Sequence, residues 1–510
     1  MRSSRSLAFA SVIALGACGG AEASAPPHLD LPVPPMRTSG ATQGNKNREP
    51  PPGSLASKPS PFPAIARGKL DTGLRVAVAE SHALPIVQVR VVTFAGMGYG
   101  APAAADLTAE MLKEGGTRAM TSATVLAKIE SLGASLSVDV DFDRSVLSVG
   151  VTKAHLDEAM SLLGQIVTEP RFDGGELRKL KARRTDEARE AARGSGAWCA
   201  TRVMFRELYA EQNPYSRYDM VPTEIAKVTE ATLRDFHKKF WVPSNMEVIV
   251  TGDVTLAQAQ SATQKAFGAF KGAAPPKVEF PEAIAPAKRR VIIASRPQSE
   301  QSDIFVASLA PARNTPDWPD LRVANQILGG GVASRLFADV REQRSLAYST
   351  RSQILELSHG REPLYAYAGT ATKKTGLAVQ GLLDNLQKIS TGSIDQAEVS
   401  SAGRYLSDIF AIRLESIGSI ADLVAVQDTL SLPDGYWDAY RSAVREVTPQ
   451  RAEAAAKKLY AGSTQLIVVA GDASVIGKPL SRFGEVVVLD PEKEFATVST
   501  IPADPNAALE

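Results

Sequence analysis

Three short stretches that recur at a single spacing constrain this chain more than any other feature of it. Val228-Thr229 returns as Val447-Thr448, Lys238-Lys239-Phe240-Trp241 as Lys457-Lys458-Leu459-Tyr460, and Val248-Ile249-Val250-Thr251-Gly252-Asp253 as Ile467-Val468-Val469-Ala470-Gly471-Asp472. All three lie 219 residues apart, with no gap. Residues 109–116 (AEMLKEGG) also lie over residues 324–331 (ANQILGGG), 215 residues on. One such match arises by chance; several in register mark a duplicated folding unit. The spacing predicts one half at 67–272 and a second at 288–490, joined by a Pro- and Ala-rich linker at 273–287, with 491–510 as a C-terminal tail. Within the first half, residues 74–78 alternate and 85–94 (PIVQVRVVTF) read as a buried strand. A helical segment begins at 107–112, a second covers 121–132 before Gly133, two alternating strands fill 136–151, and helices follow near 155–168 and 174–193. Strands and helices come in groups rather than strict alternation, which predicts α+β halves rather than a doubly wound sheet.

Composition narrows the function. With 57 Lys+Arg against 56 Asp+Glu the net charge is +1, which leaves no electrostatic footprint for nucleic acid. Two cysteines exclude a disulfide scaffold. The N-terminus carries Arg2 and Arg5, then an apolar run at 7–17 too short to span a bilayer, where about 20 residues are needed. The run ends Leu15-Gly16-Ala17-Cys18, which resembles the bacterial lipobox. That resemblance implies a signal peptide at 1–17 and a lipid anchor on Cys18; an ordinary signal peptide beside a chance cysteine is the other reading. Gly19 after the cysteine implies the outer membrane, facing the periplasm. Residues 18–66 hold eleven of the 32 prolines and too little apolar content for a core, so they read as a disordered tether.

Further motifs resemble the insulinase/pitrilysin-type zinc peptidases, the inverzincins. They are Gly115-Gly116-Thr117, Asn213-Pro214-Tyr215, Trp241-Val242-Pro243-Ser244-Asn245-Met246 leading to Gly252-Asp253, then Leu328-Gly329-Gly330-Gly331, Ser334-Arg335-Leu336-Phe337 and residues 341–349 (REQRSLAYS). The resemblance implies a clamshell of two homologous α+β halves. Active members carry His-x-x-Glu-His on the first long helix and a further Glu some 75 residues on. Histidines at i and i+4 reach one zinc from one helix face, and the intervening Glu is the general base. Here that stretch reads Asp106-Leu107-Thr108-Ala109-Glu110: both histidine positions are acidic and the base is alanine. Glu187 stands near the third-ligand position. Asp106 and Glu110 also fit a pair of acids on a partly exposed face, and Glu187 lies in a run of mixed charge that fits a solvated one. The five histidines, His28, His82, His155, His237 and His359, offer no substitute pair on one helix. Cys199 reads as a core residue rather than a nucleophile, and His82 as a surface residue.

The second half keeps what the first lacks. The resemblance gives Arg341 and Tyr348, seven residues apart, the roles of substrate-binding and oxyanion-stabilising donors, with Gly329, Gly330 and Gly331 as a substrate loop; Arg335 and Arg344 are alternative arginines. It implies a subunit inactive alone, without a cofactor of its own, acting in trans on peptide or unfolded protein with an HxxEH-bearing partner that holds the zinc. Substrate would add as a strand to a sheet edge. The alternative is a catalytically silent scaffold or peptide-binding lipoprotein; the histidine count argues against a self-sufficient peptidase. For the anchor, Cys18→Ala removes the thiol that accepts lipid, so the protein should move from the membrane to the soluble fraction on cell fractionation. Wild-type protein found wholly soluble would contradict the anchor.

Overall fold

A computed structural model describes residues 60–283, 288–462 and 464–510; the signal segment, Cys18 and His28 lie outside them. The first half builds a six-stranded sheet from β1 (Ile65–Lys69), β2 (Arg75–Glu80), β3 (Ile86–Thr93), β4 (Leu136–Val140), β5 (Ser145–Thr152) and β6 (Met246–Gly252), in the order β1-β2-β6-β3-β5-β4. The second builds seven strands, β7 (Arg290–Ser295), β8 (Gln301–Ala310), β9 (Ser349–Ile354), β10 (Glu362–Ala371), β11 (Leu466–Gly471), β12 (Val486–Asp490) and β13 (Ala496–Ile501), in the order β13-β12-β7-β11-β8-β10-β9. Five strands of each sheet share one topology: β2-β6-β3-β5-β4 repeats as β7-β11-β8-β10-β9. In both, the first pair is parallel and the next antiparallel. The repeated motif of 248–253 and 467–472 thus forms β6 and β11, the strands flanked on both sides in equivalent positions. The fold is α+β with two homologous halves.

β6 is buried along its whole length and so is β11, because both faces of each sheet are covered. One face of the first sheet packs against its own helices, among them Pro102–Glu114 and Leu156–Thr168. The other face, with Ala77, Val92, Val146 and Ile249, is closed by Ala421, Val424 and Ala425 of helix Ile417–Thr429, which belongs to the second half. The arrangement is reciprocal. Ile292, Ala294, Phe305, Ala307, Val468 and Ala470 of the second sheet meet Cys199, Ala200, Val203 and Met204 of helix Gly196–Leu208 from the first half. Both exchanged helices begin at a serine N-cap, Ser195 on Trp198 N at 3.1 Å and Ser416 on Ser419 N at 3.0 Å.

Polar contacts set the register between the halves. Asp143 accepts from Ser358 N at 2.9 Å, Tyr209 donates to Arg361 O at 2.6 Å, and Arg67 reaches Asp428 at 2.8 Å. The joining segment is held as well: Phe280 stacks on His359 at 4.1 Å, and Asn213 donates to Pro281 O at 2.6 Å. At the end of β6, Gly252 has φ +120°, and a Cβ there would lie 2.2 Å from Ile86 O, so only glycine fits.

Two boundaries differ from the sequence reading. Residues 60–66 are not all tether: Phe62 N donates to Asp438 at 3.0 Å and β1 starts at Ile65, giving β2 a partner on its outer edge. Residues 491–510 are not a free tail. β13 pairs antiparallel with β12, whose outer edge it satisfies, and Arg482 donates to the carbonyl of buried Ala507 at 3.1 Å. Among the described residues no helix is long and apolar enough to cross a membrane.

Glu247 on β6 sits between the halves with its side chain 1% exposed, 3.4 Å from Arg67. Burial first, and then the neighbouring Asp428, push its carboxyl up to about 8. The folded state therefore keeps a proton that the unfolded chain loses near its ordinary value, and stability falls as pH rises from about 4.5 towards 8. Glu247→Gln, which stays neutral, should flatten that slope in urea unfolding measured across this range.

Candidate functional site

The helix Pro102–Glu114 starts with proline at its first position and carries Asp106 and Glu110 one turn apart on one face. It packs against helix Gly174–Gly194, whose first turn is capped by Asp173 on Gly175 N at 2.8 Å. The buried stripe of that second helix runs Leu177, Leu180, Arg184, Ala188, Ala192. Arg184 thus occupies a position where helical periodicity demands burial, and its guanidinium points at the first helix.

There it meets all three acids. Nε donates to Asp106 Oδ2 at 2.9 Å, Nη2 to Glu110 Oε1 at 2.5 Å and Nη1 to Glu187 Oε2 at 2.7 Å. Asp106, Glu110 and Arg184 are buried, while the side chain of Glu187 remains 45% exposed. Burial opposes the charge on Arg184, but Asp106, Glu110 and Glu187 outweigh it and hold the guanidinium above its ordinary value. Around this centre, Lys113 lies 3.5 Å from Glu110 and Arg183 bonds Glu114 at 2.8 Å. Asp106 and Glu110 are therefore not a partly exposed pair but buried partners of an internal cation, while Glu187 reaches the same cation from the exposed side of its helix.

These residues do not fit zinc. No histidine or thiolate is among them, Ala109 is buried where the general base would stand, and a guanidinium fills the space between the acids. The described histidines are engaged elsewhere. His82 is exposed between Asp253 at 2.6 Å and Glu80 at 3.2 Å, which take opposite ring nitrogens; both acids raise its pKa, and it is a surface residue. His155 pairs with Glu158 at 3.6 Å, His237 bonds Val167 O at 2.8 Å and His359 stacks on Phe280. Among the described residues, no group of three His, Cys, Asp or Glu side chains has the geometry to hold a metal. Cys199 is fully buried; burial pushes its thiol up to about 12, so it is no nucleophile at neutral pH.

Arg341 and Tyr348 share a different place. They line one open cavity of about 640 Å³ together with Glu300, Gln301 and Lys374. Arg341 rides on the short π-helical turn Phe337–Gln343, its guanidinium 4.5 Å from the Phe337 ring and 3.6 Å from Glu342. The chain then reverses through Ser345 at φ +49°, a left-handed conformation that serine rarely adopts. Thr370 Oγ1, donating to Leu346 O at 2.5 Å, and Lys374, donating to Ser345 O at 3.0 Å, hold that reversal. Tyr348 N donates to Gly369 O at 3.1 Å, and the phenol stands 58% exposed ahead of β9. The two other arginines are consumed. Arg335 forks onto Glu398 at 2.8 and 2.7 Å, and Arg344 spans Asp339 at 3.0 Å and Asp384 at 3.2 Å.

The glycines divide. Gly329 closes helix Trp318–Gly329 against β9, where a Cβ would lie 2.3 Å from Ser352 N; Gly331 lies open beside Val332, 76% exposed. Sequence reasoning missed Arg184. Its signal was the apolar stripe through 177, 180, 188 and 192, which a charged run conceals.

The profile described as Insulinase (Peptidase family M16) matches residues 75–208, and that described as Peptidase M16 inactive domain matches residues 227–406. An uncharacterized zinc protease of Mycobacterium leprae is 25% identical over 389 residues, covering 72% of this chain and 83% of that protein. A non-peptidase homolog of Helicobacter pylori is 24% identical over 355 residues, 68% of this chain and 79% of that one. The crystal structure of a peptidase M16 inactive domain from Pseudomonas fluorescens superimposes with a TM-score of 0.74 at 24% identity, covering 80% of this chain and 98% of that one.

The donor set predicts the metal content. Purified protein dialysed against micromolar zinc should retain none in stoichiometric amount by elemental analysis; about one tightly held ion per chain would contradict the site described.

Proposed function

This chain belongs to the insulinase (M16) peptidase family, and from that premise we propose that it is a non-catalytic, zinc-free subunit of a heteromeric metalloendopeptidase. Its partner would be a chain of the same family bearing His-x-x-Glu-His, and its substrate a peptide or an unfolded protein segment. The resemblance of residues 15–18 to a lipobox supports, in this reading, a lipid-anchored pair on the outer membrane facing the periplasm. The partner's zinc would supply the activated water. This chain would supply the donors.

The observation that carries the reading is the contrast among three arginines. Arg335 and Arg344 each spend their fork on carboxylates, whereas Arg341 keeps only a loose pair with its neighbour Glu342 and stands at the same open cavity as Tyr348. A permanent cation with forked donors suits a substrate carbonyl, and a neutral phenol suits an oxygen that gains charge during attack. Both side chains face water in the single chain, where such donors are weak; a partner that covers the cavity lowers the local dielectric and strengthens them.

Tyr348→Phe removes one donor and leaves the ring. Mixed with the partner, it should still form the complex while turnover falls roughly 10²–10³-fold, or about 3–4 kcal/mol. Arg341→Ala should lower turnover and also raise KM where the guanidinium holds a ground-state carbonyl. A Tyr348→Phe complex with full activity would remove the donor role and leave the scaffold reading in its place.

A further inference from the structure

Asp106, Glu110 and Glu187 come from two helices and converge on one guanidinium, at positions where the family's active members hold metal ligands and with contacts of 2.5 to 2.9 Å. We propose that Arg184 is a built-in cation that does the mechanical work of a metal: it ties helix Pro102–Glu114 to helix Gly174–Gly194 and shuts the space between the acids to external ions. The loss of the site in this chain is then more than a loss of histidines. Restoring the ligands would not restore zinc while Arg184 is present.

Three observations carry this. First, the guanidinium is buried and central. Its three nitrogens each face a different carboxylate, so the fork satisfies in one plane what a metal would satisfy at a point. A metal would need carboxylate oxygens within roughly 2.0–2.6 Å of its own centre, and the guanidinium carbon and nitrogens already occupy that region. Second, below Arg184 the buried stripe of helix Gly174–Gly194 continues through Ala188 and Ala192, which carry little apolar surface. The charged cluster is therefore the strong contact between the helices at this level. Third, two of the three acids are buried, and without a cation they would repel one another in a poorly solvated place.

The experiment uses the full chain and reads metal, independent of any partner, so its failure is separate from failure of the subunit reading. Asp106→His/Glu110→His supplies, with Glu187, a His₂Glu zinc ligand set and leaves the buried Ala109 untouched. Dialysed against zinc and analysed for metal, this double variant should hold none. The same variant with Arg184→Ala added should hold about one zinc per chain. Zinc bound stoichiometrically by the double variant with Arg184 in place would overturn the proposal, and so would a folded triple variant that binds none.

Should the triple variant fail to fold, Arg184→Ala alone decides. Its thermal midpoint should fall by roughly 4 °C or more, since three acids lose the central cation they share and only Lys113 and Arg183 remain at the rim. Millimolar Mn²⁺, a hard cation suited to carboxylates, should restore much of that loss and leave the wild-type midpoint unmoved. Arg184→Lys, which keeps one charge but not the fork, should fall between the two. An Arg184→Ala midpoint that is unchanged, or that Mn²⁺ does not raise, would overturn the proposal.

Discussion

A sheet whose central strand is buried along its whole length has two faces to cover, and in each half one face is covered by that half's own helices. β6 and β11 are buried throughout. The open face of each sheet is closed by a helix of 13 residues from the other half, Ile417–Thr429 on the first and Gly196–Leu208 on the second. Removal of apolar surface from water drives that exchange but is blind to direction. Direction comes from the polar pairs across the seam, Asp143 with Ser358 and Tyr209 with Arg361, because buried Asp143 and Tyr209 would be costly without their partners; the more exposed pair of Arg67 with Asp428 adds to it. Each half carries a whole copy of the repeat, yet one face of its sheet is covered only by a helix of the other half.

The exchange also governs the degenerate site. Helix Gly174–Gly194, which presents Arg184, is separated from the exchanged helix Gly196–Leu208 by Ser195 alone. Arg296 of the second half caps it, donating to the carbonyls of Arg193 at 3.1 Å and Gly194 at 3.2 Å. Close approach is built in at the junction, since a Cβ on Gly196 would lie 2.2 Å from Asp303 Oδ2. Asp303 in turn accepts from Tyr367 at 2.6 Å, and Tyr367 and Tyr348 both crowd the position of a Cβ on Gly369. The helix of the buried arginine therefore ends against the second half, where Asp303 and Tyr367 lead on to Tyr348.

Much of the fold was legible because its signals are local. The alternation over 85–94 became β3, the pair of alternating runs over 136–151 became β4 and β5, and the repeated motif landed on equivalent strands of two like sheets. What escaped lacks a local signature. β13 is exposed along most of its length and is held by backbone pairing, which leaves no side-chain pattern to read. Phe62 owes its place to Asp438, 376 residues away. Arg184 is one charge within a highly charged helix. Its burial follows from the stripe on which it sits, but its partners depend on which helix lies opposite.

The amino-acid order by itself determined that this protein is a duplication, that its first half has no histidine pair for zinc, and that Arg341 and Tyr348 stand seven residues apart near the start of a strand. The tertiary structure alone decided that each half seals the other, that Arg335 and Arg344 are spent on carboxylates, and that a guanidinium from 78 residues downstream sits against Asp106. The division has a physical cause. Periodicity and residue type are imposed by the chain on its neighbours, whereas burial and ion pairing are imposed by whatever the fold brings opposite, and electrostatic attraction between distant positions has no characteristic spacing in a sequence.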